Sequence, residues 1–127
     1  MRLNEIDYTD APPIDGYGPG FFRIGGVVRE GGQLLLPTGL SAWPGYGETA
    51  PLIAAAPEID VLFVGTGSET RHLPAEFRRA LEEAGLGVEA MATPPACRTY
   101  NVLLSEGRRI GAALLPVEGT AGDADGD

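Results

Sequence analysis

The sequence predicts an α/β fold in which a β-hairpin precedes strands that alternate with helices. Three observations carry this expectation. Phe21–Arg29 alternates apolar and charged residues, and Val61–Val64 is an apolar run between Asp60 and Gly65. Leu73, Phe77, Ala80, Leu81 and Ala84 recur on one helical stripe. Strands alternating with helices build a parallel or mixed sheet with helices on its faces. The chain has 127 residues, enough for one core, and its 43% hydrophobic content is ordinary for a globular protein.

Each element has its own signal. Met1–Gly20 is polar and turn-rich (Ala11-Pro12-Pro13, Gly18-Pro19-Gly20) and reads as an extended surface lead-in. In Phe21–Arg29, Phe22, Ile24 and Val28 share one face and Arg23 and Arg29 the other, the period of a half-buried strand. Gly31-Gly32 supplies a two-residue hairpin turn, since both positions tolerate positive φ. Gln33–Leu36 is the return strand, stopped by Pro37, and Thr38–Trp43 is a further short strand. After the loop Pro44–Glu48, Thr49 is placed to cap a short helix through Ala56, which Pro57 ends. Val61–Val64 is apolar on both faces, as a buried parallel strand requires.

The helix Pro74–Ala84 has proline in its first turn, Gly85 at C′, and Glu76, Arg79 and Glu83 opposite its apolar stripe. Gly87–Met91 is the next strand. Thr93 is expected to cap a helix that starts at Pro94-Pro95 and ends before Gly107. Arg108–Leu115 is the last strand, stopped by Pro116. Residues 1–117 are thus expected to form a single α/β domain. Residues 118–127 are acidic, small and aromatic-free, and are expected to be a disordered tail.

Charge and composition exclude several classes. The net charge is −9, and such a surface repels polyanions, so no nucleic-acid partner is expected. All nine basic residues are arginine, which removes lysine Schiff-base chemistry. One cysteine makes no internal disulfide. Met1–Asp10 lacks an apolar core of signal-peptide length, and no run approaches a transmembrane segment, so the expected location is cytoplasmic. No cofactor motif, metal-ligand spacing or catalytic constellation is recognisable.

The expected site lies beyond the carboxyl ends of the parallel strands. Three loops qualify there: Pro44–Glu48, Gly65–His72 and Ala92–Pro94. They would bring together Trp43, Tyr46, Gly65, Thr66, Gly67, Ser68, Met91, Thr93, Cys97, Arg98 and Asn101. Gly65-Thr66-Gly67 admits close backbone approach, but Thr70 replaces the third glycine of a dinucleotide fingerprint, and a tight turn is the plainer reading. A thiol near a helix N-terminus can be acidified, while the plainer reading of Cys97 is a small buried hydrophobe. Arg98 calls for a negative partner: Glu89, Glu48, Glu69 or a bound anion. Asn101 is poor in mid-helix and needs partners if it faces inward. His72, the one histidine, reads as an exposed loop residue, and a Cys97–His72 nucleophilic pair would need hydrogen-bond reach.

At these residues the chain resembles a known family. Phe22-Arg23-Ile24, Val64-Gly65-Thr66-Gly67, Glu89-Ala90-Met91-Ala92-Thr93, Ala96 to Leu103, Glu106-Gly107-Arg108 and Ala112-Ala113-Leu114 carry the resemblance. They look like the small domain-of-unknown-function family that includes mitochondrial complex I assembly factor 3. The resemblance covers about Phe21 to Val117 and is most specific at Cys97-Arg98-Thr99-Tyr100-Asn101. It implies a three-layer α/β fold with a central mixed, mostly parallel sheet and an N-terminal β-hairpin extension. It implies no catalytic residues and no cofactor. It implies an interaction or accessory factor with a protein partner, a membrane complex under assembly, and attachment at the inner membrane through that partner. The alternative is a small-molecule or anion-binding protein, or an enzyme, using the cleft at the strand ends.

Overall fold

The computed structural model describes residues 12–118. Its strands and helices run β1 Ile14–Gly18, β2 Phe21–Ile24, β3 Val27–Glu30, β4 Gln33–Leu36, β5 Gly39–Ala42, α1 Ala50–Ala55, β6 Val61–Thr66, α2 Ala75–Glu83, β7 Gly87–Met91, α3 Thr93–Ser105 and β8 Ile110–Leu115. The central sheet has the order β5-β4-β8-β6-β7. β6 pairs in parallel with β7 and β8, while β4 pairs antiparallel with β5 and β8, so β4 alone runs against the other four.

The strand order fixes the layers. The chain steps from β6 outward to β7, then back across β6 to β8. Crossovers between parallel strands are right-handed, so reversing the step puts α2 and α3 on opposite faces of the sheet. Under α1 and α2 lie Leu34, Leu36, Trp43, Leu52, Leu62, Val64, Phe77 and Leu81. Under α3 lie Leu35, Phe63, Ala96, Cys97, Tyr100, Ile110, Ala112 and Leu114, and Ile14, Phe22 and Ile24 complete that layer. Val61–Thr66 feeds both clusters, which is why its sequence lacks alternation.

The helices end as their glycines dictate. Leu86 N–H donates to Leu81 O at 3.0 Å and Gly85 N–H to Glu82 O at 2.9 Å, with Gly85 at φ +83°. The same Schellman pair closes α3, through Arg108 to Leu103 and Gly107 to Leu104. Pro57 does not end its segment, because the chain continues through a 3₁₀ turn over Ala56–Glu58. Thr49 makes no side-chain cap bond.

The N-terminal extension differs from expectation in its turn. The hairpin turn is Gly25-Gly26, at φ +59° and +83°, between Ile24 and Val27. Phe21–Arg29 is therefore two strands, and Val28 faces outward opposite Arg23 instead of sharing a face with Phe22. Gly31-Gly32 is the link between the two sheets. Part of the expected lead-in is itself structured: Ile14–Gly18 pairs with β2, and Ile14 is buried. The extension is thus a three-stranded antiparallel sheet, β1-β2-β3. The tail expectation, from residue 119 on, lies outside the described residues.

Candidate functional site

The carboxyl ends of the parallel strands do share one edge. Ala42, Gln33, Leu114, Gly65 and Met91 are aligned across the sheet. The loops after β5, β6 and β7 leave from that row together.

The loop after β6 and the start of α3 are bonded to each other. Thr93 is fully buried; its hydroxyl accepts the Gly67 N–H at 2.9 Å and donates to Leu115 O at 2.7 Å. Its own N–H donates to Gly67 O at 2.8 Å. The Thr66 hydroxyl donates to Glu69 O at 2.6 Å, lies 3.2 Å from Met91 O and accepts the Arg71 N–H at 3.2 Å. Thr70 Oγ1 accepts the Ala92 N–H at 3.1 Å. An added Cβ on Gly65 would stand 2.7 Å from Thr93 Oγ1. Gly65 thus admits the close approach of Thr93. These bonds close the space between Gly65–Gly67 and the start of α3. Thr93 is the first residue of α3 and does not cap it; Ala92 holds that position without a side-chain bond.

The remaining expected residues separate by face. Trp43 is buried on the α2 side; its Nε1–H donates to Glu48 O at 3.2 Å and its ring packs near Tyr46 and Phe77. Burial raises the Tyr46 phenol above its ordinary range, and the Arg71 charge opposes that rise. Cys97 is buried on the α3 side. Burial pushes its thiol up to about 12 against the lowering charge of Arg98, so it is protonated at neutral pH. Neighbouring Tyr100 is fully buried, its hydroxyl has no partner among the described residues, and its pKa is raised by burial. His72 is exposed and, with Arg71, Arg78 and Ala90, lines a depression of about 310 Å³ beside β7. Val88 and Ala90 there pack on the α2 side, so the sheet stands between His72 and Cys97.

Asn101 faces inward and has both partners its position demanded. Its Oδ1 accepts the Ile14 N–H and its Nδ2 donates to Ile14 O. Met91 is half-buried, its sulfur 4.0 Å from Thr99 Oγ1. Arg98 is exposed. The ion pairs among the described residues are Arg71–Glu69, Arg78–Glu82 and Arg109–Asp60, and Arg98 belongs to none of them. It lines a depression of about 400 Å³ with Thr99, Val102 and Leu103. The sequence reading passed over Val102, although its spacing of four from Arg98 puts both on one helical row.

Comparison with known proteins agrees with this architecture. Residues 14–115 match a family described as protein of unknown function (DUF498/DUF598). An uncharacterised protein of Rhodobacter capsulatus is 49% identical over 119 residues, 94% of this chain and 96% of that protein. The human protein named NADH dehydrogenase [ubiquinone] 1 alpha subcomplex assembly factor 3 is 35% identical, over 94% of this chain and 68% of that protein. A crystal structure described as an outer membrane protein from Bartonella henselae superposes with a TM-score of 0.81 at 34% identity, covering 88% of this chain and all of that one.

Proposed function

Because the chain belongs to the DUF498/DUF598 family of unknown function, we propose that it is an accessory factor that docks on a protein partner during assembly of a respiratory membrane complex. The observation that carries this reading is the 35% identity, over 94% of the chain, to a protein named as a complex I assembly factor. The site geometry supports it. A small-molecule or anion site between Gly65–Gly67 and the start of α3 would have to displace the bonds that Thr93 makes to Gly67 and Leu115. No helix among the described residues is long and apolar enough to cross a membrane. On this reading the protein reaches the inner membrane by way of its partner.

Deleting the gene in the native host and resolving its membranes on native gels tests the reading. The expected result is loss of assembled NADH dehydrogenase with accumulation of subassemblies. An unchanged amount of the assembled complex would overturn it.

A further inference from the structure

We propose that the outer face of α3, formed by Arg98, Thr99, Val102 and Leu103, is where that partner docks, through a helical segment that is apolar and carries a carboxylate. This rests on the accessory-factor reading and adds the surface and its chemistry.

The inner face of α3 is fully engaged. Ala96, Cys97 and Tyr100 are buried in the core, Thr93 is tied to Gly67 and Leu115, and Asn101 holds Ile14. Farther round the helix, Arg98, Thr99, Val102 and Leu103 sit at i, i+1, i+4 and i+5, with Arg98 and Val102 exposed and Thr99 and Leu103 half-buried, Leu103 also touching the edge of the core. On an α-helix that spacing makes two neighbouring rows with a groove between them, the surface that accepts a row of side chains from a second helix. Val102 is 54% exposed, so the groove presents apolar area to water without cover from the rest of the described chain.

Charge selects the occupant. Arg98 carries an exposed positive charge on α3, beside the apolar side chains of Val102 and Leu103. Among the described residues Arg71, Arg78 and Arg109 hold carboxylates within 4.0 Å, and Arg98, like Arg23, Arg29, Arg79 and Arg108, does not. In a chain of net charge −9, a guanidinium beside an apolar groove is a local positive mark. A carboxylate from the partner would make a charge-assisted bond to it and fix the register of the apolar contact.

The test uses two helical peptides that differ only in carrying Glu or Lys beside a leucine pair spaced i, i+4. Amide and Arg Nε resonances of the full chain report where each binds. The Glu peptide should perturb Arg98, Thr99, Val102 and Leu103, and the Lys peptide should bind roughly tenfold more weakly. Arg98→Glu should invert that preference, and Val102→Asp should remove binding of both while the melting temperature stays at the wild-type value. Equal affinity for the two peptides, perturbations centred elsewhere, or no binding of either at about 1 mM would overturn the proposal. So would a wild-type dimer in sedimentation that Val102→Asp dissolves, because the occupant would then be a second copy. Full rescue of a deletion strain by Val102→Asp would also overturn this inference and leave the accessory role standing. An intact complex in the deletion strain itself would sink that role instead.

Discussion

Asn101 clasps Ile14 by both backbone groups, its carboxamide oxygen 2.9 Å from the Ile14 nitrogen and its carboxamide nitrogen 2.8 Å from the Ile14 oxygen. A side-chain amide has the donor and acceptor of a peptide unit, so Asn101 serves β1 as a neighbouring strand would. The clasp joins residues far apart in the chain and holds the three-stranded sheet against α3, above Phe22, Ile24 and Tyr100. Asn101→Ala leaves both Ile14 groups without this partner and should cost about 1–3 kcal/mol in urea unfolding. Hydrogen exchange at the Ile14 amide should rise with it. An Ile14 amide as protected as in wild type would show that the clasp does not hold the sheet.

The same pair shows what local sequence could and could not specify. Asn101 in mid-helix signalled a side chain in need of partners, but the partner came from a strand that Met1–Gly20 did not announce. Val61–Val64 and the stripe on α2 were legible because burial on both faces, or on one stripe, leaves a pattern within one element. The hairpin turn was not, because Gly25-Gly26 and Gly31-Gly32 satisfy the same positive-φ requirement and only strand pairing chooses between them. The shared edge of the strand-end loops was legible from topology. That Thr93 fills the space between two of them depends on a distance across the sheet, which neither segment encodes alone.

The fit of Thr93 against Gly65 can be tested from both sides. A methyl on Gly65 would stand 2.7 Å from Thr93 Oγ1, 2.9 Å from Leu114 Cδ2 and 3.1 Å from Thr93 Cα. Backbone and a branched side chain give way poorly, so Gly65→Ala should cost roughly 1–3 kcal/mol. Thr93→Val keeps the shape and removes the hydroxyl, leaving Gly67 N–H and Leu115 O unpaired, and should cost about 1–3 kcal/mol. Thr93→Ser should keep more of the stability than Thr93→Val. Equal losses for those two variants would show that the hydroxyl is not what joins the loops.

On the opposite face, Phe77 meets Tyr46 at 5.0 Å and Trp43 at 6.1 Å between ring centres, and it is 3% exposed. Removing its ring leaves a hole lined by two aromatics and the sheet, which backbone held on both sides cannot close. Phe77→Ala should therefore destabilise by roughly 3–5 kcal/mol in chemical unfolding. A loss below about 1 kcal/mol, the scale of a surface change, would mean that α2 does not seat on this face.

Cys97 gives a prediction in pH. Its folded thiol titrates near 12 because it is buried, against an ordinary value of 9.0. A raised pKa means the folded state keeps a proton that the unfolded chain releases. The associated stability is therefore complete below pH 9 and is lost as pH rises toward 12, by up to about 1.4 kcal/mol per pH unit. Tyr46 and Tyr100 are raised as well and add to the same alkaline decline, so the cysteine's share is the difference in slope between wild type and Cys97→Ala. Wild type should lose stability more steeply above pH 9. In the native state at pH 8 the thiol should react with an aromatic disulfide reagent only through opening of the α3 layer, far more slowly than in urea. Rapid native labelling together with parallel pH slopes would show an accessible thiolate at Cys97 and would return it to consideration as a reactive group.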